Sequence, residues 1–268
     1  MRFNLNKLTK ILVVTLPLLS STFGVQADEQ SEKQGLAIAI EADKRDQGFN
    51  DTIVDLQMIL KNKHGAETRR VMRSKTLEQD KDGDMSLIIF DNPRDVKGTA
   101  FLSHTHKVKA DDQWLFLPAL KRVKRIASSN KSGPFMGSEF AFEDMSSQEV
   151  EKYTYDYLRD EKLNDVDTFV IERNPVDPKS GYTRQVVWLD KDEYRVFKVD
   201  FYDRKNDLLK TLNVSNYQQY LDKFWRAAKW EMTNHQTGKS TILAFDNYQF
   251  SNDFTHRDFN KTSLARAK

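Results

Sequence analysis

The spacing of hydrophobic residues along this chain changes near residue 48. Before that point, residues 35–46 are predicted to form a helix whose apolar face contains Leu36, Ala39 and Ile40, and Gly48 ends it. The polar residues 28–34 in front of this helix are predicted to be frayed. After residue 48, apolar and polar side chains alternate in short runs, which predicts β-strands for most of the remaining chain.

The strands are predicted at residues 55–63, 67–77, 85–90, 98–106, 114–117, 152–158, 168–173, 183–189, 195–202, 208–217, 224–233 and 241–250. Turn residues such as Asp82-Gly83, Asn92-Pro93 and Thr237-Gly238 separate them. Strands at a spacing of about ten residues indicate an antiparallel sheet or an open barrel, so we expect a mostly β, α+β protein with about 10–12 strands. Residues 254–264 are predicted to end the chain as a short helix or an edge segment.

Residues 114–145 interrupt this regular pattern. Residues 114–117 are apolar at every position, which is typical of a strand that is covered on both faces, and Pro118 ends it. A basic run follows, made of Lys121, Arg122, Lys124 and Arg125. Beyond Gly133-Pro134 comes a second apolar group, made of Phe135, Met136, Phe140, Phe142 and Met145. A long interruption among short turns favours a functional or covering loop.

The first residues are typical of a secretory signal. A cationic start with Arg2, Lys7 and Lys10 precedes a short apolar stretch at residues 11–19, and Ala27 ends a suitable cleavage site. The apolar stretch is shorter than the ~20 residues that a membrane-spanning helix needs, although a retained anchor is the alternative. We therefore expect a signal peptide at residues 1–27, a single domain at residues 28–268, and a periplasmic protein.

Charge and cysteine content narrow the function further. Removal of residues 1–27 takes away three basic residues and no acidic one, so the formal net charge falls from +2 to −1. A near-neutral chain in which 31% of residues are charged argues against general nucleic-acid binding. The chain has no cysteine, which excludes disulfides, a thiol nucleophile and cysteine-ligated zinc.

Several motifs resemble a known family. Residues 114–126 (WLFLPALKRVKRI), residues 135–144 (FMGSEFAFED) and residues 98–103 (GTAFLS) resemble the outer membrane lipoprotein-sorting protein family, which is similar to the LolA-like periplasmic carriers. Lys210-Thr211-Leu212 and residues 254–259 (FTHRDF) resemble later motifs of the same family. The likeness covers nearly all of residues 28–268, and it departs from the family at Glu139, where aspartate is usual.

The resemblance implies a fold and a kind of cargo. It implies a strongly curved, incomplete antiparallel β-barrel with an N-terminal helix, and a helical or loop lid that covers the concave side. Between sheet and lid it implies an apolar cavity for the acyl chains of a lipid or lipoprotein, with no cofactor. Family members look like companions of inner-membrane lipid exporters of the resistance-nodulation-division (RND) type, which makes such a transporter a candidate partner.

The apolar residues around the interruption are the candidates for such a cavity and its lid: Trp114, Phe116, Phe135, Met136, Phe140, Phe142 and Met145. Aromatic residues are also common fillers of β-protein cores, so ordinary core is the alternative. The flexible methionines favour an adaptable apolar surface.

The basic run Lys121, Arg122, Lys124 and Arg125 has no apolar face if it is extended, so it is expected at the rim of the sheet. One interpretation is a solvated edge that discourages strand pairing. The other is contact with an anionic lipid headgroup or an acidic partner surface, for which arginine offers a bidentate fork.

Metal and catalytic sites have little support. His104 and His106 would share a face of a strand, but the sequence offers no third ligand, so surface histidines are expected and no metal site. No nucleophile, metalloprotease or nucleotide motif is present. Glu139, Glu143 and Asp144 could form a carboxylate pair, but structural roles are expected for them.

The sequence therefore favours a non-enzymatic periplasmic carrier that binds lipid or lipoprotein acyl chains and transfers them towards the outer membrane. Its contact with membranes would be peripheral, and nucleic acid is not an expected partner. The alternative is an accessory protein that docks an inner-membrane RND-type exporter and fills the cavity with its own side chains. A hydrolase, which would lose ester turnover with Glu139→Gln or Glu143→Gln, is a third hypothesis.

Overall fold

The computed structural model describes residues 23–266, so most of the predicted signal peptide lies outside the described residues. Helix α1 (Phe23–Asp46) precedes thirteen strands, and α2 (Lys261–Arg266) follows them. The strands are β1 (Asp51–Lys61), β2 (Glu67–Leu77), β3 (Met85–Asn92), β4 (Ala100–His104), β5 (Asp112–Leu117), β6 (Arg122–Ile126), β7 (Tyr153–Leu163), β8 (Val166–Pro175), β9 (Arg184–Asp190), β10 (Val196–Tyr202), β11 (Leu208–Tyr220), β12 (Phe224–Asn234) and β13 (Ser240–Phe250). None of the helices within residues 23–266 has both the length and the apolar composition to cross a membrane.

All thirteen strands form one antiparallel sheet, in the order β6-β5-β4-β3-β2-β1-β13-β12-β11-β10-β9-β8-β7. Consecutive strands are neighbours in the sheet, except β6 and β7, and the first strand β1 pairs with the last strand β13. The predicted meander is confirmed as a curved, unclosed sheet, with β6 and β7 as its two edges. The sequence pattern missed only β6, whose residues are mostly charged and exposed.

Each face of the sheet carries its own apolar cluster. The larger cluster joins residues from opposite ends of the strand order, such as Met72 of β2, Ile171 of β8 and Val199 of β10, so the sheet curves around it. We call this side the inner face. On the outer face, a smaller cluster that includes Leu102 is covered by Phe259 and Leu264 of the chain's last residues. The predicted short C-terminal helix is therefore confirmed, and it covers the outer face.

Helix α1 packs along the edge strand β7. Gly35 lies so close that a Cβ there would be 2.7 Å from the backbone carbon of Asp156, and the Ser31 hydroxyl donates to the Tyr157 carbonyl at 2.8 Å. Residues 28–34 are therefore helical, and the prediction that they fray was wrong. The predicted apolar face was also wrong, because Leu36 and Ile40 are exposed and Ile38 is buried.

Candidate functional site

The stretch between β6 and β7, residues 127–152, joins the two edges of the sheet and lies against its inner face. We call it the covering segment. It contains four short 3₁₀ helices, Ser128–Asn130, Phe135–Gly137, Phe142–Met145 and Val150–Lys152. Its backbone hydrogen bonds are largely internal, for example Phe135 N to Phe140 O at 2.7 Å and Phe142 N to Gly133 O at 3.1 Å. The segment is therefore folded on itself and is not an added strand of the sheet.

The apolar side chains of the covering segment fill the inner face. Phe135 and Phe140 are fully buried, and Met136, Phe142 and Met145 pack around them with partial exposure. The Phe135 ring lies 5.2 Å from the ring of Phe101 in β4, which anchors it to the sheet. The five candidate residues of the segment therefore come together, and in this state their side chains occupy the space over the sheet.

Trp114 and Phe116 do not join this group. In β5 the side chains alternate, so Leu115 and Leu117 point into the inner cluster while Trp114 and Phe116 belong to the outer cluster. The Trp114 ring is covered by His104 at 5.2 Å and by the ammonium of Lys261 at 4.9 Å. Their assignment to the cavity was wrong because α2 buries the outer face as well.

A row of half-buried rings continues the inner face beyond the covering segment. The Phe140 ring lies 6.5 Å from Trp230 of β12, which lies 5.2 Å from Phe245 of β13, and Tyr248 follows at 6.3 Å. We call Trp230, Phe245 and Tyr248 the aromatic row. These three residues were not predicted from the sequence as part of the site, although the alternation of apolar and polar residues in β12 and β13 could have indicated them.

The covering segment is fastened to the sheet by a buried polar cluster. Asp144 accepts from the Lys210 ammonium at 2.7 Å and from the Tyr182 hydroxyl at 2.9 Å. The side chains of Asp144 and Lys210 are only 8% and 4% exposed. Burial, together with the charge of Asp144, raises the pKa of Tyr182 well above its usual value, so its hydroxyl remains a donor.

Glu143 makes a second fastening next to Asp144. Its carboxylate accepts from the Ser180 hydroxyl and from the Gly181 N–H, both at 2.8 Å. Burial raises the pKa of Glu143 above its usual value. Glu143 and Asp144 thus make structural hydrogen bonds, a role that the sequence led us to expect for them.

Arg70 of β2 fastens the middle of the covering segment. Its guanidinium lies on the inner face beside Met58 and donates to the carbonyl of Met136 at 2.6 Å. Burial lowers the pKa of Arg70, although an arginine stays charged at any physiological pH. Met136 is held in the left-handed region with φ 50°, a conformation that costs a bulky residue of order 1–3 kcal/mol. Arg70 therefore stabilises a strained turn of the segment.

The end of the covering segment meets β4 and β5. The hydroxyls of Ser103 and Ser146 lie 3.2 Å apart, and Gln113 donates both to Ser146 and to the Phe142 carbonyl. Asp84 accepts from Ser147 nearby, and burial raises the pKa of Asp84 to about 7.

The basic run lies on β6 and the turn before it. Lys121, Arg122, Lys124 and Arg125 are all exposed. Arg125 pairs with Asp112, but within residues 23–266 no carboxylate pairs with the other three. The run is therefore an open, cationic edge of the sheet, and β7 forms the other edge.

The two candidate histidines already have partners. His104 Nε2 lies 2.7 Å from the Phe259 carbonyl, and His106 Nδ1 lies 2.6 Å from Asp82. β4 ends at His104, so the two side chains do not share a strand face.

A cleft of about 390 Å³ opens between the covering segment and the ends of β9, β11 and β12. Phe140 forms one wall, and Lys210 and Tyr182 lie within it. The rest of the lining is mostly polar, namely Ser132, Pro134, Ser138, Glu139, Ala141, Gly181, Asp203, Arg204, Lys205, Leu209 and Asn234.

Comparison with solved structures agrees with this architecture. A domain of an outer membrane lipoprotein-sorting protein from Vibrio parahaemolyticus is 60% identical, with a TM-score of 0.86 over 88% of this chain and 100% of that chain. A DUF1329 family protein from Desulfovibrio piger is 28% identical, with a TM-score of 0.83 over 87% of this chain and 99% of that chain. A LolA superfamily protein from Nitrosomonas europaea is 21% identical and shares the fold, with a TM-score of 0.70 over 85% of this chain and 98% of that chain.

Comparison with family models and with curated proteins gives no description of a function. A family model whose description reads "uncharacterized protein" matches residues 82–266. No curated protein matches the chain. From the identity and coverage of the solved relatives, the chain belongs to the outer membrane lipoprotein-sorting protein family and has the LolA-like fold.

Proposed function

We propose that this protein is a periplasmic carrier that holds the acyl chain of a lipid or lipoprotein on its inner face and transfers it towards the outer membrane. It would bind and hand over its cargo without catalysing a reaction. The observation that carries the proposal is the covering segment, a self-contained plug of apolar side chains that is fastened to the sheet at a few polar points. Such a plug can leave the inner face without breaking the strand pairing of the sheet.

The energetics suit a reversible exchange. Phe135 and Phe140 each contribute burial worth ~1.5–3 kcal/mol against the sheet, and an acyl chain would recover that burial at about 25 cal/mol per Å². Loading would therefore replace one set of apolar contacts by another. The fastenings at Arg70, Glu143 and Asp144 oppose opening, and they re-form when the cargo leaves.

The aromatic row supports the same proposal. Trp230, Phe245 and Tyr248 are only partly covered, and they adjoin Phe140 directly. An arriving acyl chain would contact these rings first and then displace Phe140. Lys121, Arg122 and Lys124 at the open edge would contact an anionic membrane surface or an acidic partner, because their charges are exposed and have no carboxylate within residues 23–266.

The test is to isolate the protein from the periplasm, extract it with organic solvent and identify bound lipid by mass spectrometry. We expect a stoichiometric lipid or acylated peptide. An empty protein that co-purifies with an inner-membrane exporter would contradict the carrier role and would favour an accessory role.

A further inference from the structure

The 390 Å³ cleft beside Phe140 has a size typical of small-molecule sites, and charged side chains line it, unlike the apolar inner face. Phe140 belongs to both, because it forms a wall of the cleft and its ring contacts Trp230. A ligand with a polar end and an apolar tail could therefore lie in the cleft and on the aromatic row together.

One side of the cleft carries two cations with no paired carboxylate. Arg204 donates to the carbonyls of Ser180 at 3.2 Å and Lys179 at 3.3 Å, so neutral groups fix its position. Within residues 23–266, no carboxylate forms an ion pair with Arg204 or Lys205. Lys210 differs, because Asp144 already balances its charge. Arg204 and Lys205 thus offer positive charges to a ligand, next to the carboxylate of Asp203, whose pKa is lowered by its hydrogen bond from Gln236 and also by the charge of Lys205.

The other side of the cleft carries an anion that is also unpaired. One carboxylate oxygen of Glu139 accepts from the Asn234 amide at 2.7 Å, and within the described residues no cation pairs with Glu139. Asp203 is different, because both of its oxygens are engaged, by Gln236 at 2.9 Å and by the N–H groups of Lys205 and Asp207. Glu139 is therefore the carboxylate that remains available to a cationic group.

We propose that the cleft binds a zwitterionic headgroup made of a phosphate and a primary ammonium, with the phosphate at Arg204 and Lys205 and the ammonium at Glu139. The opposite charges on its two sides match such a group better than a simple anion, because Glu139 repels an anion that lacks the ammonium. The inference rests on the proposed carrier function only for the source of the headgroup, a phosphoethanolamine lipid. The recognition itself needs no acyl chain.

An acyl-free compound tests the cleft alone. Glycerophosphoethanolamine, glycerophosphate and glycerophosphocholine are titrated into the protein, and binding is followed by amide chemical shifts of residues 138–141 and 203–205. We expect glycerophosphoethanolamine to bind about fivefold more tightly than either comparator, equivalent to ~1 kcal/mol. Choline has a positive charge but no N–H donor, so it reports the hydrogen bond to Glu139.

Variants assign each side of the cleft. Glu139→Gln should remove the preference for glycerophosphoethanolamine over glycerophosphate, and Arg204→Gln with Lys205→Gln should weaken all three compounds. The matched control is Arg94→Gln with Lys97→Gln, two exposed cations of the β3–β4 turn, which should change nothing. Conservative Arg204→Lys should restore part of the phosphate affinity.

Two results would overturn the proposal. One is that all three compounds bind equally and that Glu139→Gln does not change their affinities. This result would indicate a simple anion site. The other is no binding of glycerophosphoethanolamine up to its solubility limit. In either case, uptake of a fluorescent fatty acid, which lacks this headgroup, separately decides the carrier function. The lipid-loaded protein should be enriched in phosphatidylethanolamine over phosphatidylglycerol, and Glu139→Gln should abolish this enrichment. That result would identify a lipid as the source of the headgroup.

Discussion

Replacing Lys210 by methionine should release the covering segment more than it unfolds the sheet. Lys210 Nζ and Asp144 Oδ2 are 2.7 Å apart, and both side chains are almost completely buried. Removing one partner of such a pair costs ~3–5 kcal/mol because the other charge is left buried without compensation. Asp144 keeps its hydrogen bonds from Tyr182 and from the Ala141 N–H. We therefore expect the lower end of that range.

The loss falls on the contact between two parts of the molecule, since Asp144 is in the covering segment and Lys210 is in β11. A loss of ~3 kcal/mol raises the open population of the segment roughly 150-fold. Hydrogen–deuterium exchange measures this directly, with residues 133–145 compared against β12 and β13 in the same protein. Urea unfolding gives the global free energy of unfolding alongside it.

Two controls define the result. The double variant Lys210→Met with Asp144→Asn removes both charges. Its loss of unfolding free energy should be about 2 kcal/mol smaller than the sum of the losses in the two single variants. Lys229→Met breaks a 2.6 Å pair with Glu231 whose side chains are 35% and 37% exposed, and should cost less than ~1 kcal/mol. If Lys210→Met left exchange in residues 133–145 unchanged, or accelerated it equally in β12 and β13, the segment would not be a separately released unit.

Two further predictions concern stability. Burial raises the folded pKa of Asp84 from 3.8 to about 7, so the stability that Asp84 contributes is complete below about pH 4 and falls by up to ~4 kcal/mol as the pH rises from about 4 to about 7. Urea unfolding of Asp84→Asn between about pH 4 and pH 8 should lack this part of the pH dependence. An unchanged pH profile in Asp84→Asn would assign the loss to other groups. Phe259 lies on the outer face and is only 1% exposed, so Phe259→Ala should lower the free energy of unfolding by ~3–5 kcal/mol. Fatty-acid uptake on the inner face should not change. Loss of uptake in a folded variant would contradict the separation of the two faces.

Much of the sheet could be predicted from period-two alternation and turn residues, because each strand carries that signal locally. β6 could not, since an edge strand needs no apolar face and its residues are mainly basic. The assignment of Trp114 and Phe116 to the cavity was wrong because their strand is apolar on both faces. A run that is apolar on both faces does not say which set points inwards, and the answer depends on Phe259 and Leu264 far along the chain.

The covering segment was predictable as an insertion, but its fastenings were not. Lys210 lies in a strand, where a lysine normally faces solvent, and its partner Asp144 is 66 residues away. The buried side of helix α1 was also predicted wrongly. It was assigned to Leu36 and Ile40, whereas the close approach of Gly35 to β7 turns Ile38 inwards.

We infer that the covering segment must leave the inner face before an acyl chain can occupy that face. The Ser103 and Ser146 hydroxyls lie 3.2 Å apart, so Ser103→Cys with Ser146→Cys brings two thiols within reach of a disulfide in a chain that has no other cysteine. Uptake of a fluorescent fatty acid is measured with this variant oxidised and then reduced, and with each single cysteine variant as control. We expect oxidation to suppress uptake and reduction to restore it. Uptake by the oxidised protein at the level of the single variants would show that the covering segment does not have to leave the inner face.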